Sequence, residues 1–330
     1  MNLKLFNIGE VKLMKDGGYA LYRYPLNVIN KLGFENSKKG REKAKYPAMC
    51  EIRFSSSTPY CKLILKSLDR DCKIFSFIDK FQCSEIVLKK NKKQIVEIQV
   101  HERMEKQREH LGFNNDYNFR IVLSGNSRVV LYPFADDNVI IDTNSSHLLT
   151  YGSSISQGVG CDSIINSYVF SLSSKLGINI LNKGLSGACL LEKEVVDYIS
   201  SIKGMGYILE IGCNARGIMS SDIFENKFKY LIEKISFENP HKPIFIINIL
   251  EVFENLYKDF DEIPYHEKNQ KFISIIKKQI KKLNNPNVHL ISGKKLITRI
   301  DGISGDLLHP SNFGHKELSD NLSKIIKKYI

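Results

Sequence analysis

The chain has 330 residues, too many for one ordinary small domain and suited to one large domain or two of moderate size. With 42% hydrophobic and 25% charged residues it has the balance of a globular protein. Its longest apolar runs, such as 243–250, fall far short of the about 20 residues of a membrane-spanning helix, so no part is expected to cross a bilayer. A formal net charge of +12 would attract anionic partners if clustered, but the lysines are scattered and there is no tryptophan or basic–aromatic interleaving, which argues against a nucleic-acid-binding module.

The stretch from Met1 to Glu10 lacks a basic region followed by a sustained apolar segment and a small-residue cleavage site, so the expected compartment is the cytoplasm. Residues 1–46 hold a Gly17-Gly18 turn and tyrosines, and no periodicity assigns their elements. From Pro47 to about Asn138, strand-like runs at 48–54, 61–68, 72–78, 84–88, 95–101, 119–123 and 129–133 are separated by polar or turn residues. Alternation at 61–66 and 95–100 gives each run one apolar face, and the spacing predicts an all-β sandwich, jelly-roll-like, for residues 1–145. Seven cysteines, an odd number, do not form a disulfide framework. Cys50, Cys61, Cys72 and Cys83 recur every eleven residues without the close pair spacing of a zinc site.

After about Ser146 the period changes. Apolar strands at 147–151, 178–181, 206–211, 243–250 and 288–291 alternate with helical stretches at 166–176, 190–202, 222–237, 264–283 and 314–329. The third helix opens on Asp222 with Glu225 three residues on, the pattern of a capping box. The densest basic run, Lys271 to Lys282, interleaves with Phe272, Ile273, Ile275, Ile276 and Ile280, as an amphipathic helix with a solvated face does. Continuous apolar strands between amphipathic helices predict an α/β unit over 146–330, a parallel sheet covered on both faces, with ligands bound beyond the carboxyl ends of its strands.

Four short blocks lie at such ends or before the last helix. In Tyr151-Gly152-Ser153-Ser154-Ile155-Ser156-Gln157-Gly158 the glycines permit a tight turn that exposes the Ser154 hydroxyl, although turn and N-cap serines are common. Asn182-Lys183-Gly184-Leu185-Ser186-Gly187 can point a backbone amide into a cleft, or be an ordinary strand-to-helix turn. In the run from Glu210 to Arg216, Asn214 can supply a neutral side-chain donor, or be a loop asparagine. In Asp306-Leu307-Leu308-His309, followed by Pro310, a carboxylate three residues before a histidine can hold one ring nitrogen while the other faces a serine. His101, His110, His147, His241, His266, His289 and His315 lack such placement and read as surface or packing residues.

In this order the blocks resemble the SGNH, or GDSL-type, serine hydrolase superfamily over residues 147–330, and the octapeptide 151–158 looks like the two-domain branch with an N-terminal β-sandwich. The resemblance implies a flavodoxin-like five-stranded sheet, Ser154 as nucleophile, and His309 and Asp306 completing a triad. It also implies an oxyanion hole from the Ser154 amide, Gly187 and Asn214. The implied activity is esterase cleavage of small acyl esters, acetyl esters foremost, carried by a carbohydrate or similar small molecule, with no cofactor and no metal. Two alternatives are an acyltransferase passing the acyl group to a sugar or natural-product alcohol, and an inactive carbohydrate-binding protein. Ser153 stands where many relatives have Asp, and Ala215 follows Asn214 where Asp is frequent, which leaves the hydrogen bonding of the nucleophile turn unspecified.

Overall fold

The computed structural model describes residues 1–35, 37–112, 116–143, 146–250 and 265–330. Two compact units emerge, Met1–Leu26 with Ala44–Ser145 and Asn27–Lys43 with Ser146–Ile330.

The first unit is built from β1 (Asn2–Phe6), β2 (Glu10–Leu13), β3 (Tyr19–Tyr22), β4 (Glu51–Ser56), β5 (Tyr60–Ser67), β6 (Cys72–Ile78), β7 (Phe81–Leu88), β8 (Lys93–Gln99), β9 (Tyr117–Leu123), β10 (Val129–Tyr132) and β11 (Asn138–Ile141). They form a six-stranded sheet ordered β11-β1-β4-β9-β6-β7 and a five-stranded sheet ordered β2-β3-β10-β5-β8. Pairing is antiparallel except between β1 and β11. The alternation visible at 61–66 sends Cys61, Leu63 and Leu65 into one apolar cluster with Ile52, Ile74 and Phe119 of the other sheet. That shared core makes the unit a sandwich.

Sequence periodicity missed β1 to β3 and β11, as well as the helices α1 (Leu26–Lys31) and α2 (Lys39–Ala44). These pieces are four to six residues long, too short for any period to repeat. The run expected at 48–54 starts later, because Met49 takes a left-handed φ of 56° and Cys50 N–H bonds back to Pro47 in a turn. His101 leaves the expected strand to cap α3 (Glu102–Lys106), its ring accepting from the Arg103 amide. Cys50, Cys61 and Cys72 lie in the core while Cys83 is exposed, and burial pushes the Cys61 thiol up to about 12.

One charged group is sunk into the six-stranded sheet. Arg53 on β4 stands directly across from Arg120 on β9, a repulsive cross-strand pair that needs an anion. Glu51, 3% exposed, supplies it: it accepts from Arg53 Nε at 2.7 Å and from Arg120 Nε and Nη2 at 2.9 and 2.8 Å. Burial by itself would raise the Glu51 carboxyl, but the two guanidinium groups reverse that and hold it below its ordinary value.

The second unit carries β12 (His147–Tyr151), β13 (Asn179–Asn182), β14 (Gly206–Glu210), β15 (Ile244–Ile247) and β16 (Val288–Ile291), all parallel, in the order β13-β12-β14-β15-β16. Every residue of β12, β14 and β15 is buried, as a sheet covered on both faces requires. Between and after the strands come α4 (Ser154–Gln157), α5 (Tyr168–Leu176), α6 (Lys193–Ser201), α7 (Ser221–Glu238), α8 (Tyr265–Leu283) and α9 (Asn312–Ile326). Helix α5 packs with α9, and α6 with α7 and α7 with α8, so the covers form two groups. Phe224 of α7 stacks on Phe272 of α8 with ring centroids 3.9 Å apart.

Local chemistry moves several boundaries. Helix α7 is capped by Ser220, whose hydroxyl accepts from Ile223 N–H, so the Asp222–Glu225 box does not form, and Glu225 instead accepts from Lys278 Nζ at 2.9 Å. Helix α6 starts at Lys193 rather than 190 because Leu191 is left-handed, with φ 51°. Strand β15 stops at Ile247, and the following Asn248 side chain accepts from Gly293 N–H at 2.7 Å. The helix expected from Pro264 is seen from Tyr265, Pro264 itself lying outside the described residues. Among the described residues no helix is long and apolar enough to cross a membrane.

Replacing Glu51 by alanine leaves two arginines facing each other inside the first unit. Urea unfolding of Glu51→Ala should show a loss of about 3–5 kcal/mol.

Candidate active site

In the second unit the strand order reverses direction at β12, so the crevice beyond the carboxyl ends of β12 and β14 is the expected ligand position. Both strands end there in residues that bond to each other. Ser153, just past β12, sends its amide and its hydroxyl to Glu210 Oε2, each at 2.7 Å, and Glu210 closes β14. The Ser156 hydroxyl donates to the same oxygen at 3.2 Å and lies 2.7 Å from the Tyr168 hydroxyl. Glu210 is 3% exposed, and burial raises its carboxyl above the ordinary value against the pull of these donors.

This carboxylate explains Gly152. A Cβ at that position would lie 2.6 Å from Glu210 Oε2 and 2.3 Å from Ser156 Oγ, so only a bare backbone passes. Ser153 also caps α4 by accepting from Ile155 N–H at 3.2 Å, which places Ser154 as the first helical residue. Gly158, at φ 96°, ends the helix after four residues.

The loop after β13 is laid on this turn. Asn182 Nδ2 donates to Ser156 O at 2.7 Å, Leu185 N–H to Gly152 O at 2.8 Å, and Ser186 N–H to Gln157 Oε1 at 2.8 Å. Gly187 then takes φ 63°, a left-handed conformation that favours glycine. After β14, Asn214 Oδ1 accepts from Cys189 N–H at 3.1 Å. Since only oxygen can meet that donor, the amide is oriented and Nδ2 is left to donate elsewhere.

His309 arrives from the far end of the unit. Its Nε2 is 2.8 Å from Ser154 Oγ, across 155 positions of sequence, and its Nδ1 is 2.6 Å from Asp306 Oδ2. Asp306 Oδ1 accepts from the Ser304 hydroxyl at 2.6 Å and from the Leu308 and His309 amides at 3.0 and 2.9 Å. Partial burial would raise the Asp306 carboxyl, but these hydrogen bonds outweigh it and hold the group far below the usual carboxylate range. The turn is tight enough that Leu307 adopts φ 56°. A Cβ at Gly160, itself at φ 102°, would lie 2.6 Å from His309 Cβ, so the histidine loop rests on bare backbone.

All five residues singled out in the sequence lie in this unit. Asp306, His309 and Ser154 form one hydrogen-bonded line. Gly187 follows the Ser186 amide bound to Gln157, and Asn214 holds the Cys189 amide in the same loop. Sequence reasoning gave Glu210 no role. The signal for it is an acidic residue at the end of an otherwise apolar strand, where burial demands donors. His315 is a packing histidine that bonds through both ring nitrogens. Its Nδ1 accepts from Tyr168 N–H at 3.2 Å and its Nε2 donates to Val159 O at 3.0 Å, joining α9 to the segment after the serine turn.

Residues 145–327 match the family described as GDSL-like Lipase/Acylhydrolase. The chain belongs to that family. No curated protein matches the sequence. Among solved structures, this GDSL-like chain is similar to a salicylyl-acyltransferase from a tetracycline biosynthetic pathway, with a TM-score of 0.79 and 14% identity over 99% of this chain and 97% of that one. It is also similar to a GDSL-like lipase of Bacteroides ovatus, with a TM-score of 0.67 and 18% identity over 98% and 95%. A family two carbohydrate esterase from Cellvibrio japonicus gives a TM-score of 0.64 and 14% identity over 99% and 95%. At these identities the likeness is one of fold: a GDSL-type parallel sheet together with an antiparallel β unit ahead of it.

The buried His315 yields a pH dependence. Burial, aided by His309 and opposed by the Val159 carbonyl, pushes its pKa down to about 4 from 6.5. As pH falls, the unfolded chain therefore takes up this proton first, and stability is lost between about pH 6.5 and about pH 4. From pH 7 to pH 5 this should remove about 2 kcal/mol in urea unfolding of the wild type, and His315→Gln should flatten that slope.

Proposed function

We propose that this GDSL-family chain is a serine esterase that cleaves small acyl esters through an acyl-enzyme. The observation that carries the reading is the line from Asp306 Oδ2 through His309 to Ser154 Oγ, with hydrogen-bond lengths of 2.6 and 2.8 Å. Ser154 Oγ attacks the ester carbonyl as His309 Nε2 takes its proton, while the Asp306 carboxylate holds Nδ1–H and stabilises the imidazolium. The Ser154 and Gly187 amides and Asn214 Nδ2 receive the tetrahedral oxyanion. Collapse breaks the C–O bond to the alcohol, which leaves with the proton from His309 Nε2. Water then repeats the sequence on the acyl-serine, and the carboxylic acid departs.

Acetyl esters of carbohydrates are the substrates the reading favours, supported by the fold shared with family two carbohydrate esterases. A second reading keeps the acyl-enzyme and passes the acyl group to a sugar or other alcohol, and the salicylyl-acyltransferase fold matched over nearly the whole chain supports it. The two differ only in whether water or an alcohol reaches the acyl-serine. Product analysis with and without an acceptor alcohol separates them.

Two variants test the common core. Ser154→Ala should abolish hydrolysis of p-nitrophenyl acetate and labelling by a fluorophosphonate, and turnover at the wild-type rate would refute the assignment. Asn214→Ala should lower kcat by about 10²–10³, with the folded state intact by circular dichroism.

A further inference from the structure

The second unit includes a segment from early in the chain, Asn27–Lys43. Glu192, which precedes α6 as its N-cap residue, pins it: Oε1 accepts from Gly33 N–H at 2.6 Å. Gly40 packs beside this contact, since a Cβ there would touch Leu32 Cβ at 3.4 Å and Glu192 Oε2 at 3.7 Å. So held, α2 begins at Lys39, and the lysine side chain lies along the backbone of Gly187. A Cβ at Gly187 would sit 2.4 Å from Lys39 Nζ, 2.7 Å from Cε and 3.3 Å from Cδ. Gly187 therefore lacks a side chain for two reasons, its left-handed φ of 63° and the lysine stem that fills the space.

The ammonium thus sits against the residue whose amide faces the ester oxygen in the mechanism above. Lys39 is exposed, and among the described residues no ion pair to a carboxylate involves it. Its ammonium ends at the candidate oxyanion site, where none of the described carboxylates meets it. A compact, rotatable cation there is suited to a second anionic group on the bound molecule.

We propose that Lys39 is a specificity-determining residue that pairs with a carboxylate carried by the ester substrate close to the scissile carbonyl. The inference rests on the esterase reading and adds to it the charge of the substrate. The carboxylate could belong to the acyl half or to the alcohol half, and the chemistry at Lys39 is the same.

Two pairs of esters distinguish these sources: mono-p-nitrophenyl succinate against p-nitrophenyl butyrate for the acyl half, and 4-acetoxybenzoate against phenyl acetate for the alcohol half. In one pair the ratio of kcat/KM for the anionic to the neutral ester should fall about fivefold to tenfold in Lys39→Met. Lys39→Glu should lower it further, Lys39→Arg should restore most of it, and added salt should weaken the wild-type preference. Ratios unchanged by Lys39→Met in both pairs would overturn the proposal while leaving the esterase reading in place. Equal losses on anionic and neutral esters would overturn it too, assigning the ammonium to the oxyanion instead. If the wild type turned over none of the four esters, the esterase reading would fall and this proposal with it.

Discussion

A buried carboxylate wants either a proton or several donors, and the second unit is organised around one such demand. Glu210 ends β14 inside the sheet, and its Oε2 is met by an amide and two hydroxyls from the turn after β12. Leaving any of those groups unmet would cost about 1–3 kcal/mol, so the turn is drawn to one position over the strand end. Gly152 follows from this, because a side chain there would displace the carboxylate. So does the direction of Ser154, which is set by a cap residue whose own hydroxyl is bonded to Glu210.

The same interaction suits a serine at 153 better than an aspartate. An aspartate there would bring a second carboxylate to the oxygen now 2.7 Å from the Ser153 hydroxyl, and two like charges cannot share a buried contact unless one is protonated. A serine donates instead. The serine turn thus draws its acidic anchor from the neighbouring strand rather than from within itself.

The parallel sheet was legible because its strands are continuously apolar and its helices long enough for their period to repeat. The strands at 147–151 and 288–291 match the observed bounds, and most errors elsewhere are of a few residues at caps that depend on one hydroxyl or one left-handed residue. The four blocks were legible as order and placement. What bound them together was not: nothing in the pattern announces that Glu210 accepts from Ser153, or that Gly160 lies under His309. Contacts of this kind join residues far apart in sequence and leave no period. The segment 27–43 is the extreme case, a short piece whose contacts with the later half, Gly33 on Glu192, Lys39 along Gly187 and Phe34 under Lys227, follow no period in the sequence.

Ser154 and His309 are held by different kinds of structure. The serine turn hangs from buried bonds to Glu210, Tyr168 and Asn182, so its opening requires the sheet edge itself to open. The loop bearing Asp306 and His309 is stitched by hydrogen bonds exposed to water, and the Asp306 side chain is 51% exposed. Bonds of the second sort open at free energies well below that of global unfolding. On warming, the imidazole would leave the serine while the sheet is still intact, so the loss of reactivity would report a local melting of one loop and precede any change in secondary structure.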